Sequence, residues 1–188
     1  MMNGSNPQTV NNPLHIAFIG DSLTEYFDWQ ERFPDHLVLN LGISGEPVEG
    51  LLGRIDSICS SLGDPDVIFF MTGINNIAME DYEFVGSYRN IIRKIAACFP
   101  GARIVIQSIL PVILSWISPA KISEVNHSLE KTAERCGVDY LDIHSSFLKS
   151  DGSPQSSFLL DDGVHLSSQG YRIWSDTIDA YLNRAINK

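Results

Sequence analysis

Two short stretches of this chain place chemically capable residues beside glycine turns. In HIAFIGDSLTEYF, residues 15–27, a mostly apolar run reaches Gly20 and is followed at once by Asp21, Ser22 and Thr24. In DDGVHL, residues 161–166, Asp162 stands three residues ahead of His165. A serine hydroxyl becomes a useful nucleophile when a histidine takes its proton and a carboxylate holds that histidine in one tautomer. Acyl transfer also needs donors aimed at the developing oxyanion. Two further turns offer them: Asn75 in TGINN as a side-chain amide, and Gly45 in NLGISGE as an unobstructed backbone N–H.

Each of these residues has an ordinary alternative. Ser22 fits a helix N-cap, Asp-Gly is common turn composition, Asn75 fits an Asx turn, and Gly45 can simply supply a positive φ. His144, with Asp142 nearby, is the rival base, although strand alternation puts both on one face and invites a structural role. The elbow G-x-S-x-G is absent, as are H-E-x-x-H, G-x-x-x-x-G-K and G-x-G-x-x-G.

The elements that must position these residues can be read from periodicity. Apolar, strand-like runs cover 14–20, 37–41, 66–71, 103–108 and 138–142. Between them, 48–62, 84–99 and 120–137 carry apolar residues at helical spacing, and a last helix is expected over about 168–186. Strands alternating with helices argue for a parallel α/β sheet, because parallel strands need crossover connections. Ligands of such sheets bind beyond the carboxyl ends of the strands. Ser22, Gly45, Asn75 and the Asp162–His165 pair all follow such runs. The segment LPVILSWISP, residues 110–119, follows another and is strongly apolar. It is expected to wall an acyl pocket through Trp116 and Leu114, with packing or a subunit interface as the alternative.

A length of 188 residues suits one domain, expected over 14–188 behind a loose tail at 1–13. The net charge of −10, with no local Lys/Arg cluster, disfavours nucleic acid and anionic membrane surfaces. No stretch reaches the length of a membrane span. Cys59, Cys98 and Cys136 are odd in number and lack C-x-x-C spacing, so buried free thiols are expected rather than a disulfide or zinc site. With no export-like apolar core in the polar N-terminus, a cytoplasmic location is expected.

FIGDSL, NLGISGE, TGINN and DDGVHLSSQGY together resemble the four ordered blocks of the SGNH (GDSL-type) hydrolases, spanning residues 18–171. That resemblance implies a three-layer α/β/α sandwich with a flavodoxin-like, five-stranded parallel sheet. It implies Ser22 as nucleophile, His165 as base and Asp162 as orienting acid, with the Ser22 and Gly45 N–H groups and the Asn75 amide as oxyanion donors. GINN and GYRIW are most similar to bacterial acylhydrolases related to platelet-activating-factor acetylhydrolase subunits. Family members often carry Asp where this chain has Glu46 and Asn76, positions that bear on how the loops are held. The implied activity is hydrolysis of a small acyl ester through an acyl-enzyme, with no metal or cofactor required. Thioester hydrolysis, transfer to another acceptor and a non-catalytic binding role on the same fold are the alternatives. A homodimer is suggested by analogy alone.

Overall fold

The computed structural model describes residues 12–186. The expected tail at 1–13 therefore lies outside the described residues except for Asn12 and Pro13. Five strands form one sheet: β1 (His15–Gly20), β2 (Leu37–Gly42), β3 (Val67–Met71), β4 (Arg103–Gln107) and β5 (Asp139–Leu141). All pair in parallel, in the order β2-β1-β3-β4-β5. Each lies within or beside one of the expected runs. Every residue of β3 is buried, as a parallel strand covered on both faces should be.

Among the described residues, seven α-helices connect and follow the strands: α1 (Ser22–Glu25), α2 (Trp29–Arg32), α3 (Val48–Ser61), α4 (Ile74–Ala78), α5 (Val85–Cys98), α6 (Pro119–Cys136) and α7 (Ser168–Ile186). Neighbouring residues of a strand point to opposite faces, and β3 shows which helices cover each. Phe69 meets Tyr181 of α7 edge-on at 5.8 Å, while Phe70 meets Tyr88 of α5 at 4.6 Å. On the Phe69 side, Phe18 stacks on both Phe69 and Trp29 of α2, and Trp29 packs against Trp174 of α7. On the other side α5 packs between α3 and α6. The result is an α/β/α sandwich. The chain leaves β1 toward β2 and later resumes on β1's other side with β3, so the strand order reverses there. Crevices at such reversals are where open α/β sheets hold ligands.

The cysteine expectation is corrected. Cys59 and Cys98 form a disulfide, and Cys136 is free. Both crossover helices return from the carboxyl edge of the sheet, so the last turns of α3 and α5 lie side by side at the opposite edge. There the two Cα atoms stand 5.7 Å apart, within disulfide reach. Such bonds persist in oxidising compartments, so the thiol argument for a cytoplasmic location falls away. Among the described residues, no helix is long and apolar enough to cross a membrane.

Unfolded in denaturant without reductant, the chain should present one titratable thiol, that of Cys136; finding three would overturn the pairing. The bond closes a sequence separation of 39 residues, and Cys98→Ser should lower the urea-unfolding free energy by about 2–4 kcal/mol.

Candidate active site

The nucleophile candidate is aimed by a sharp strand-to-helix junction. β1 stops at Gly20, and Asp21 caps the single turn of α1 by accepting the Leu23 N–H at 3.1 Å. A Cβ on Gly20 would fall 2.3 Å from the Met71 carbonyl oxygen and 2.2 Å from Thr24 Oγ1, so the junction closes only over bare backbone. The far end of the turn is held by Asn40 of β2, whose amide donates to the carbonyls of Thr24, Glu25 and Phe27. A polar residue inside the run LVLNLG was the sequence signal for that tie, and it was not read as one. Ser22 itself is buried, with 6% of its surface exposed, and as the first helical residue its N–H lacks an intrahelical partner.

His165 Nε2 lies 3.1 Å from Ser22 Oγ, and His165 Nδ1 lies 2.6 Å from Asp162 Oδ2. An ionised carboxylate only accepts, so Nδ1 carries the hydrogen and the Nε2 lone pair faces the serine hydroxyl. The other carboxylate oxygen accepts the Val164 and His165 N–H groups, each at 2.9 Å. Burial pushes the Asp162 carboxyl up, but the His165 ring and these two N–H bonds outweigh it and hold the pKa at about 2. Asp161 is exposed, and among the described residues its side chain bonds neither the ring nor any other partner. The loop is fastened through Leu160 N–H to the His165 carbonyl at 2.7 Å and Ile113 N–H to the Gly163 carbonyl at 2.8 Å.

The rivals are engaged elsewhere. Asp142 accepts the Ser145 N–H at 3.1 Å and so caps the 3₁₀ turn that begins at His144. Burial lowers the His144 pKa. Ser44 gives its N–H to Glu25 Oε2 at 2.8 Å, and its hydroxyl bonds the same oxygen.

That Glu25 contact, absent from the sequence reading, bears on Gly45. The Ile43 carbonyl accepts the Glu46 N–H at 3.2 Å, closing a turn in which Gly45 has φ +73° and Ser44 does not have positive φ. This is the type II pattern, whose central peptide is flipped relative to type I. The flip decides which way the Gly45 N–H points. A Cβ there would meet nothing within 4 Å, so the demand for glycine is conformational.

Asn75 sits in α4 and gives one amide hydrogen to the Glu46 carbonyl at 3.1 Å. Its second hydrogen has no acceptor among the described residues. The departures Glu46 and Asn76 both hold this loop. Glu46 grips Arg54 of α3 in a two-point pair at 2.7 and 2.8 Å. Asn76 accepts the Val48 N–H and donates to the carboxylates of Glu49 and Asp81, each at 2.9 Å. An Asp at 76 could not make those two donations.

Around this cluster, Trp116 is 57% exposed and donates its indole N–H to the Ala78 carbonyl at 3.3 Å. Leu114 is half-buried against the core, and its neighbour Ile113 presents the open apolar surface instead.

Asp21 is buried beside the nucleophile, and among the described residues no cation pairs with it. Burial pushes its pKa from 3.8 up to about 7, against the pull of the Leu23 N–H and of His165. The fold therefore favours the protonated acid. The contribution of Asp21 to stability is fully present below the unfolded value of 3.8 and is lost as pH rises to about 7. Asp21→Asn keeps the acceptor for Leu23. Its stabilising effect in urea unfolding should be near zero at acid pH, grow between 3.8 and about 7, and level off above neutrality at no more than about 4 kcal/mol. A difference independent of pH would refute the assignment.

Residues 18–173 match the model of the GDSL-like lipase/acylhydrolase family. Platelet-activating factor acetylhydrolase IB subunit alpha2 of Rattus norvegicus is 29% identical over 165 residues, covering 83% of this chain and 70% of that protein. A solved structure from Streptococcus pneumonia, provisionally assigned as a platelet activating factor, has a TM-score of 0.81 at 29% identity, covering 93% of this chain and 86% of that one. A GDSL-like lipase from Bacteroides thetaiotaomicron has a TM-score of 0.76 at 20% identity over 94% of this chain and 93% of its own, a likeness of fold. The chain belongs to the GDSL-like lipase/acylhydrolase family.

Proposed function

We propose that the protein hydrolyses carboxylic esters through an acyl-enzyme on Ser22. The observation that carries this reading is the continuous path from Ser22 Oγ through the His165 ring to Asp162, at 3.1 and 2.6 Å. As Ser22 Oγ attacks the ester carbonyl, its proton passes to His165 Nε2, and Asp162 stabilises the resulting imidazolium. The oxyanion is taken up by the N–H groups of Ser22 and Gly45 and by the second amide hydrogen of Asn75. His165 returns the proton to the departing alkoxide, leaving Ser22 acylated. Water then repeats the sequence and releases the acid. No step calls for a metal or cofactor.

A thioester would follow the same path, as would transfer of the acyl group to an alcohol in place of water. A purely binding role would have no use for a histidine whose lone pair faces a buried serine.

Ser22→Ala should remove hydrolysis of p-nitrophenyl butyrate while the protein stays folded, and a fluorophosphonate should label Ser22 alone. Labelling at Ser44 would sink the assignment. Asp162→Asn should lower kcat by about 10⁴, whereas Asp161→Asn should leave it nearly unchanged; equal losses would point to the wrong carboxylate.

Glu25 is a positioning residue in this scheme. Glu25→Ala should cost about 10–100-fold in kcat with little change in KM, because it loosens a donor that matters only in the transition state. A KM effect at constant kcat would place Glu25 in substrate binding instead.

A further inference from the structure

The segments that follow the strands and carry the site are 20–28, 42–48, 72–82, 109–117 and 158–166. Besides the buried Asp21, whose protonated form the fold favours, they hold seven Asp or Glu residues and not one Lys or Arg, although the chain has 13 Lys and Arg in all. The cations that come near are already engaged. Arg54 is held by Glu46, and Lys121, which lies 5.9 Å from the Tyr82 ring, pairs with Glu124 at 2.7 Å.

The same segments collect the exposed apolar surface. Tyr26, Ile43, Met79, Ile113, Trp116 and Leu160 account for six of the seven large apolar side chains exposed among the described residues; the seventh, Leu37, opens β2 at the opposite edge. Contacts tie several of them to the site. The Tyr26 ring lies 5.4 Å from the His165 ring, and Trp116 bonds the residue before Met79. Ile113 and Leu160 bond the backbone of the loop that carries His165.

Building on the ester-hydrolase reading, we propose that this mouth selects esters with an apolar body and no negative charge, and that it favours a cationic leaving group over a neutral one. Carboxylates crowded around a cleft focus their field there, raising the local concentration of cations and repelling anions. The exposed faces of Tyr26 and Trp116 add a place for a desolvated ammonium to rest. Burying apolar surface against the six exposed side chains favours alkyl or aryl groups of either kind. An acyl group carried on a polyanionic nucleotide would find repulsion here and no counter-charge, which separates the ester from the nucleotide-borne thioester.

The test uses three aryl butyrates that differ only beyond a methylene spacer, so that their leaving phenols stay alike: (trimethylammonio)methyl, hydroxymethyl and carboxymethyl. The kcat/KM values should fall in that order, cation over anion by about tenfold or more at low salt, and converge at high salt. The double change Glu80→Gln/Asp161→Asn, at two carboxylates that bond neither Ser22 nor His165, should narrow the ratio and leave the neutral ester unaffected. A flat or inverted order overturns the inference while leaving the ester-hydrolase reading intact. If no butyrate is turned over, that reading fails instead. Charge preference is then read without catalysis, by NMR titration of the Ser22→Ala protein with benzyltrimethylammonium, benzyl alcohol and phenylacetate. Binding of phenylacetate as tight as the cation would overturn it.

Discussion

Side by side, β1, β2 and β3 end in register, with Gly20 opposite both Gly42 and Met71. Three chain segments therefore leave the sheet at one level, and Ser22, Gly45 and Asn75 follow within four residues of those ends. The arrangement tolerates no side chain at its centre. A Cβ on Gly42 would stand 2.4 Å from the Glu25 amide nitrogen, just as one on Gly20 would strike Met71 and Thr24. α1 lies directly on two strand ends, and its single turn is short enough that tertiary ties, not helical propagation, must hold it. Asn40 from β2 is one tie, and the Tyr171 hydroxyl of α7, which donates to the Leu23 carbonyl at 3.0 Å, is another.

From that base, side chains rather than helices hold the turn that carries Gly45. Glu25 reaches it from α1, Arg54 through Glu46 from α3, and Asn75 and Asn76 from α4. Three elements thus converge on seven residues, 42–48. The two departures from the usual family residues are consistent with one another here. Glu46 has the length to reach Arg54, and Asn76 has the donors that two neighbouring carboxylates require.

Much of this was legible in the sequence because long periodic segments report their own burial. The runs in β1 to β4 and the helical spacing of α3, α5, α6 and α7 needed no tertiary information. Single turns such as α1, α2 and α4 have no period to read. The Cys59–Cys98 bond was hidden for a different reason: it depends on two crossover helices ending side by side, a fact of topology, not of cysteine spacing. In the segment after β4 the backbone is irregular, so no alternation could tell that Ile113, not Leu114, faces outward. The burial of Asp21 was equally silent, since a capping Asp is ordinarily solvated.

The electrostatics of the site carry an internal conflict, and hydrogen bonding decides how the charges are placed within it. In the proposed reaction a positive charge grows on His165 while a negative one grows at the oxyanion, and a field of carboxylates helps the first but opposes the second. The carboxylates near the Gly45 turn are each occupied. Glu46 is neutralised by Arg54, Glu25 is spent on Ser44, and Glu49 and Asp81 accept from Asn76. Asp162 alone is turned onto the imidazole. That pair is 30% and 48% exposed, and a contact to a carboxylate so open to water contributes little to folding stability. Its geometry must therefore come from elsewhere, and the two backbone N–H bonds to Asp162 Oδ1 supply it. Arg54 thus offsets one carboxylate where the oxyanion forms, and hydrogen bonding fixes where the others stand without removing their charge, with Asp162 held against the ring that receives the proton.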